Sequence, residues 1–169
     1  MTRSRLTIFA VVCSLLIGTI PLSIHGVTPL TPTDNLSAET NRQLAQARRA
    51  TAKYHDVSAA EEDGYVNIHI YESGEGLHYV NFSLIDGTFD PAHPEVLLYA
   101  PAPNENRLVL VAVEYVVPLN ASATAPEGFA GSNDAWRENS EGLGLWELDA
   151  WIWMNNSDGI FAFKNSRVP

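Results

Sequence analysis

Between Leu108 and Val117 the chain reads Leu-Val-Leu-Val-Ala-Val-Glu-Tyr-Val-Val, apolar throughout but for one carboxylate, Glu114. A short run this rich in β-branched residues reads as a strand buried on both faces. An ionised carboxylate left there without its partner costs ~3–5 kcal/mol. Glu114 is therefore paired, protonated or turned toward a polar cavity, and the other elements must supply whichever of these holds.

The chain of 169 residues is about one domain long, and its hydrophobic content of 46% is ample for one core. The formal net charge of −10 excludes nucleic acid and anionic lipid surfaces as partners, because both are attracted by Lys and Arg. Arg3 and Arg5 open the chain, and Leu6–Ile24 follows without a charge. A basic start followed by an apolar run is the pattern of an export signal; an uncleaved anchor is the alternative, since nineteen residues nearly span a bilayer. Either way the folded part lies outside the cytoplasm, secreted or at the cell surface, and the only membrane contact expected is through this segment. The single cysteine, Cys13, falls inside it, which leaves the folded part without disulfide or thiolate chemistry. The division expected is 1–26 signal or anchor, 27–36 a Pro/Thr-rich linker, and 37–169 one domain.

Ser37 is placed to cap a helix over Ala38–Lys53, with Leu44, Ala47 and Ala50 at helical spacing. Asp56 reads as a second cap and Gly64 as a stop. The basic Arg48, Arg49 and Lys53 read as a solvated face pairing with the protein's own carboxylates. From Tyr65 the period becomes two: a strand over 66–71, a turn at Ser73-Gly-Glu-Gly76, and a second strand over Leu77–Ile85 closing a hairpin. Further strands are expected over Glu95–Tyr99, 107–117 and Leu145–Met154, with 118–143 a long loop that Phe129 and Trp136 pin over the sheet. The fold class is α+β: an N-terminal helix packed on an antiparallel sheet of about five strands, either a cone-like sheet or a small barrel.

Period two also sorts the polar residues. Leu108, Leu110, Ala112, Glu114 and Val116 share a face, as do His78, Val80 and Phe82, and as do Glu147, Asp149, Trp151 and Trp153. If these faces coincide, one cavity holds His78, Glu114 and Asp149, with His69 beside them; a bulge would break the alignment. His78, Glu114 and Asp149 are then candidate ligands of a divalent metal ion, against the plainer alternative of a hydrogen-bonded core carboxylate. His69, Trp136, Glu147, Trp151 and Trp153 are candidates for contact with a small molecule, the tryptophans by stacking or merely as core. Acid–base hydrolysis by Glu114 with Asp149 or Glu147 is a third option. Neither a substrate nor an oligomeric state is legible. Asn35, Asn81, Asn120 and Asn155 each begin an acceptor pattern for N-glycosylation.

The runs Ala50-Thr-Ala-Lys-Tyr54-His-Asp56, Asp63-Gly64-Tyr65, His78-Tyr-Val-Asn81, Asp86-Gly-Thr-Phe-Asp90-Pro91, Pro94-Glu95-Val-Leu-Leu-Tyr99 and Val111-Ala-Val-Glu114-Tyr115 resemble a family of small exported microbial proteins of unknown function. The resemblance continues through Pro126-Glu-Gly-Phe129, Leu145-Trp146 and Trp151 to Asp158-Gly159-Ile-Phe161, about residues 45–168. It supplies a family and not an activity. It implies a cupin-type site of several His and one Glu, with family histidines at the positions of Arg137 and Asp149 beside His78 and Glu114. On that pattern this chain has lost two His ligands.

Overall fold

Two features hold the Glu114 run in the middle of the molecule: its length and the apolar cover on both of its faces. The computed structural model describes residues 36–103, 105–132, 134–139 and 142–169. The expected export segment, Cys13, Asn35 and all but the last residue of the linker lie outside them. No helix of the described residues is long and apolar enough to cross a membrane.

The chain enters through α1 (Ala38–Thr51), where the Ser37 side chain accepts the Thr40 N–H at 3.0 Å as the cap. Glu39 in the first turn and Arg48 and Arg49 in the last suit the helix dipole. Thr40, Leu44, Ala47 and Thr51 form its buried stripe. A short 3-10 turn, Ala52–His55, leads to α2 (Val57–Glu62), capped by Asp56 as its sequence suggests. Of the basic face, Lys53 pairs with Asp63, and Arg48 donates to the Ile152 carbonyl at 3.1 Å.

The strands are β1 (Val66–Glu72), β2 (Gly76–Val80), β3 (Val96–Pro101), β4 (Leu108–Pro118), β5 (Arg137–Asn139) and β6 (Leu145–Ala150), in the spatial order β1-β2-β3-β4-β6-β5 and antiparallel throughout. The fold is thus α+β, with six strands where about five were expected. The sheet is open at β1 and β5, so the small barrel does not form. The helix lies ahead of the sheet but begins at Ala38, not at the start of the chain. The first four strands pair in sequence, as short turns favour. At the β1–β2 turn Gly76 has φ 106°, and a Cβ there would collide with the Tyr99 carbonyl oxygen.

Each face of the sheet has its own core. On the helix side Leu44, Ala47, Tyr54 and Ala60 meet Tyr79, Leu97, Tyr99, Val113, Tyr115 and Leu148. On the other side Val80, Val96, Leu98, Ala112, Val116, Trp151 and Val168 pack together. The helix therefore packs against one face of an open sheet.

Two irregularities redirect side chains. Leu98 pairs with Ala112 and Tyr99 with Leu110, so Val111 is an extra residue in β4. Leu108 and Leu110 consequently pack on the helix side, while Ala112 and Val116 point to the other. The five-residue face expected along this strand is broken at Val111. β6 stops at Ala150, not Met154, because the backbone N–H groups of Trp153 and Met154 turn back to the Val111 carbonyl, at 3.2 and 2.9 Å.

Candidate functional site

Glu114 faces away from the helix, into a cavity of about 300 Å³. Its walls include Ile68 and Ile70 from β1, Val80 from β2, Val96 from β3, Val116 from β4 and Leu145 from β6. Phe82 and Leu143 also line it and are among the most exposed large apolar residues of the molecule. The polar groups of the lining are Glu72, Glu75, His78, Glu114, Arg137, Asn139 and Glu147.

His78 lies two strands from Glu114, with β3 between, and its Nε2 stands 3.7 Å from an oxygen of Glu114 and 3.7 Å from an oxygen of Glu75. Both gaps exceed a hydrogen bond. Burial disfavours the charged ring, but the two carboxylates outweigh it and hold His78 above the ordinary imidazole range. Its Nδ1 faces the Ile70 carbonyl at 3.3 Å. Asp149 is the direct cross-strand partner of Glu114. Burial raises both carboxyls well above the usual range; the neighbouring Asp149 adds to the rise of Glu114, and Glu75 to that of Asp149. The pair resists double ionisation, as two carboxyls in a dry site must.

On the β5 side the chemistry is satisfied. Glu147 is paired with Arg137 and accepts the Asn139 side-chain amide at 2.6 Å. The Arg137 guanidinium also lies over the Phe163 ring. On the β2 side it is not. Glu75 is 2% exposed, its Oε1 has no hydrogen-bond partner among the described residues, and the nearest ammonium, Lys164 Nζ, is 3.8 Å away. Asp149 Oδ1 likewise has no hydrogen-bond partner among them.

Of the residues expected at the site, His78, Glu114 and Glu147 line the cavity, and Asp149 lies beside Glu114 on the neighbouring strand. His69 does not join them: it is exposed, at φ 60° in an irregular stretch of β1, with its N–H bound to the Asn67 side chain at 2.7 Å. Trp136 packs on the helix-side core near Phe89. Trp151 is buried, with its indole N–H donating to the Ala162 carbonyl at 2.5 Å. Trp153 packs on the helix side, donating to Thr51 Oγ1 at 3.1 Å. The two therefore do not share a face, because β6 ends before them, and both read as core. The Asn81 side chain, committed to the Asp63 carbonyl and to Ser83, is not presented for glycosylation.

Glu75, Arg137 and Asn139 are missed by reasoning from pattern alone. Glu75 sits between two glycines in what reads as an exposed turn; the chain's C-terminal residues cover it, through Asn165 N–H to Gly74 O at 2.8 Å and Gly74 N–H to Pro169 O at 3.3 Å. β5 is three residues long and too short for a period; only the resemblance marked Arg137. Among the described residues no group of three or more His, Cys, Asp or Glu side chains is arranged to hold a metal ion. No family model, curated protein or solved structure matches the chain.

Proposed function

We propose that this is an exported or surface-held domain that binds a small organic molecule without transforming it, in the cavity on the sheet face away from the helix. The observation that carries the reading is an apolar-walled hollow whose floor gathers convergent polar groups, the usual make-up of a ligand site. Export is supported by the uncharged run after Arg3 and Arg5, and by the resemblance to small exported microbial proteins.

The test is thermal melting of the protein with short-chain alcohols, amines and acids, repeated on Ile85→Trp, which places a large ring in the cavity wall from a half-buried loop position. Binding at about a hundred times Kd raises stability by ~2.7 kcal/mol and the melting temperature with it, and the tryptophan variant loses that rise. Equal shifts in both proteins would place binding elsewhere. The competing reading is a metal-binding protein or metal-dependent enzyme with a partly degraded cupin-like His/Glu site. It draws on the approach of Glu75 and Glu114 to His78, and divalent ions that raise the melting temperature while no organic probe does would favour it.

A further inference from the structure

We infer that the ligand is a small organic cation, an ammonium group carried on an apolar body, whose charge is met by Glu75 and Glu114; this rests on the small-molecule reading above and names the ligand's class. Glu75 lines the cavity almost wholly buried, with one oxygen lacking any hydrogen bond among the described residues. Glu114 is 4% exposed and accepts no hydrogen bond from the described residues, its nearest cation being His78 at 3.7 Å. Buried carboxylate oxygens ordinarily have donors. An ammonium brings three donors and a charge, a hydroxyl brings one donor, and a carboxylate brings none.

The rest of the lining fits that division. Arg137 and Asn139 are already committed to Glu147, so among the described residues the β5 side offers an anionic ligand no free cation. Glu72 from β1 adds a further carboxylate. The aliphatic walls, with exposed Phe82 and Leu143, suit the body of the ligand.

A cation placed here favours the ionised form of Glu114 and its partner Asp149, so binding releases protons and tightens as pH rises. The other charges facing that pair are Glu72, Glu75 and His78 from the β1–β2 side, Glu147 and Arg137 from β6 and β5, and Lys164 from the C-terminal segment, which lies against Glu75.

Isothermal titration of the full chain with hexylamine, hexan-1-ol and hexanoate tests this. Hexylamine should bind about tenfold or more tighter than hexanol, with hexanoate weaker still. Glu75→Gln and Glu114→Gln should each remove most of that advantage. Heats measured in buffers of different ionisation enthalpy should show proton release with hexylamine and none with hexanol. If hexanol equals hexylamine, or neither variant narrows the gap, the cation is wrong and the small-molecule site survives. If none of the three binds, and Ile85→Trp changes nothing, the site falls with it.

Discussion

On the helix side of the sheet nearly every buried polar group has found a backbone partner. Tyr99 donates to the Tyr54 carbonyl at 2.6 Å, Tyr65 to Pro94 at 2.7 Å and Tyr115 to Pro91 at 3.0 Å. Even its carboxylate, Glu95, accepts the Val116 N–H at 3.1 Å; among the described residues the indole N–H of Trp136 is the exception. Through the same strands, the opposite face leaves one oxygen each of Glu75 and Asp149 without a hydrogen-bond partner among the described residues, and Glu114 with an imidazole 3.7 Å away. A saturated face contributes to stability. An unsaturated one costs stability that the first face must offset, and such a cost is commonly found where a protein meets a ligand.

Phe129 is 2% exposed and meets Phe89, Tyr115 and Phe161, with ring centroids 5.0, 5.5 and 5.0 Å away. Phe129→Ala should cost ~3–5 kcal/mol in urea denaturation, yet leave ligand affinity of the surviving fold unchanged. A loss much below that would mean the long loop over residues 119–136 is not pinned to this face.

Glu95 gives the next largest effect. Burial raises its carboxyl to about 8, from an ordinary glutamate value of 4.5. Below that lower value both folded and unfolded chains hold the proton and there is no penalty. As pH rises from there toward 8, the unfolded chain gives up its proton more readily, so stability falls. Glu95→Gln keeps an acceptor for Val116 and should restore roughly 4 kcal/mol above pH 8 and almost nothing near pH 4. Glu114 and Asp149 are raised in the same direction, so the native protein should melt at higher temperature near pH 5.5 than near pH 8.5. The opposite slope would mean these carboxyls are ionised and paired.

Much of this division is legible in the amino-acid order, and the reasons for the rest are physical. The caps at Ser37 and Asp56, the four sequential strands and the anomaly of Glu114 follow from local chemistry, because period and capping act over a few residues. Which of Leu110 and Ala112 faces Glu114 is decided by one extra residue at Val111, and a bulge leaves no mark in hydrophobic period. The burial of Glu75 depends on residues near the far end of the chain. The separation of Trp151 from Trp153 depends on where β6 stops. His78, Glu114 and Glu147 are legible because each lies on a strand long enough to show a period, and they line the cavity; Glu75 sits in a turn, and Arg137 and Asn139 on a strand three residues long.

The finest cut through the comparison pairs Tyr99→Phe with Glu114→Gln, measured side by side near pH 5. Tyr99 is fully buried, and removing its hydroxyl strands the Tyr54 carbonyl, so the variant should lose ~1 kcal/mol. Burial and Asp149 favour the protonated form of Glu114, and an amide there replaces a neutral carboxyl of the same shape. Its stability should therefore move by less than ~0.5 kcal/mol, although the residue is nearly as buried as Tyr99. Near pH 8.5 the same substitution should become stabilising, since it removes a group whose ionisation in the unfolded chain opposes folding. Equal losses from the two variants at the lower pH would show that Glu114 has a structural partner, and the two faces would then differ only in shape.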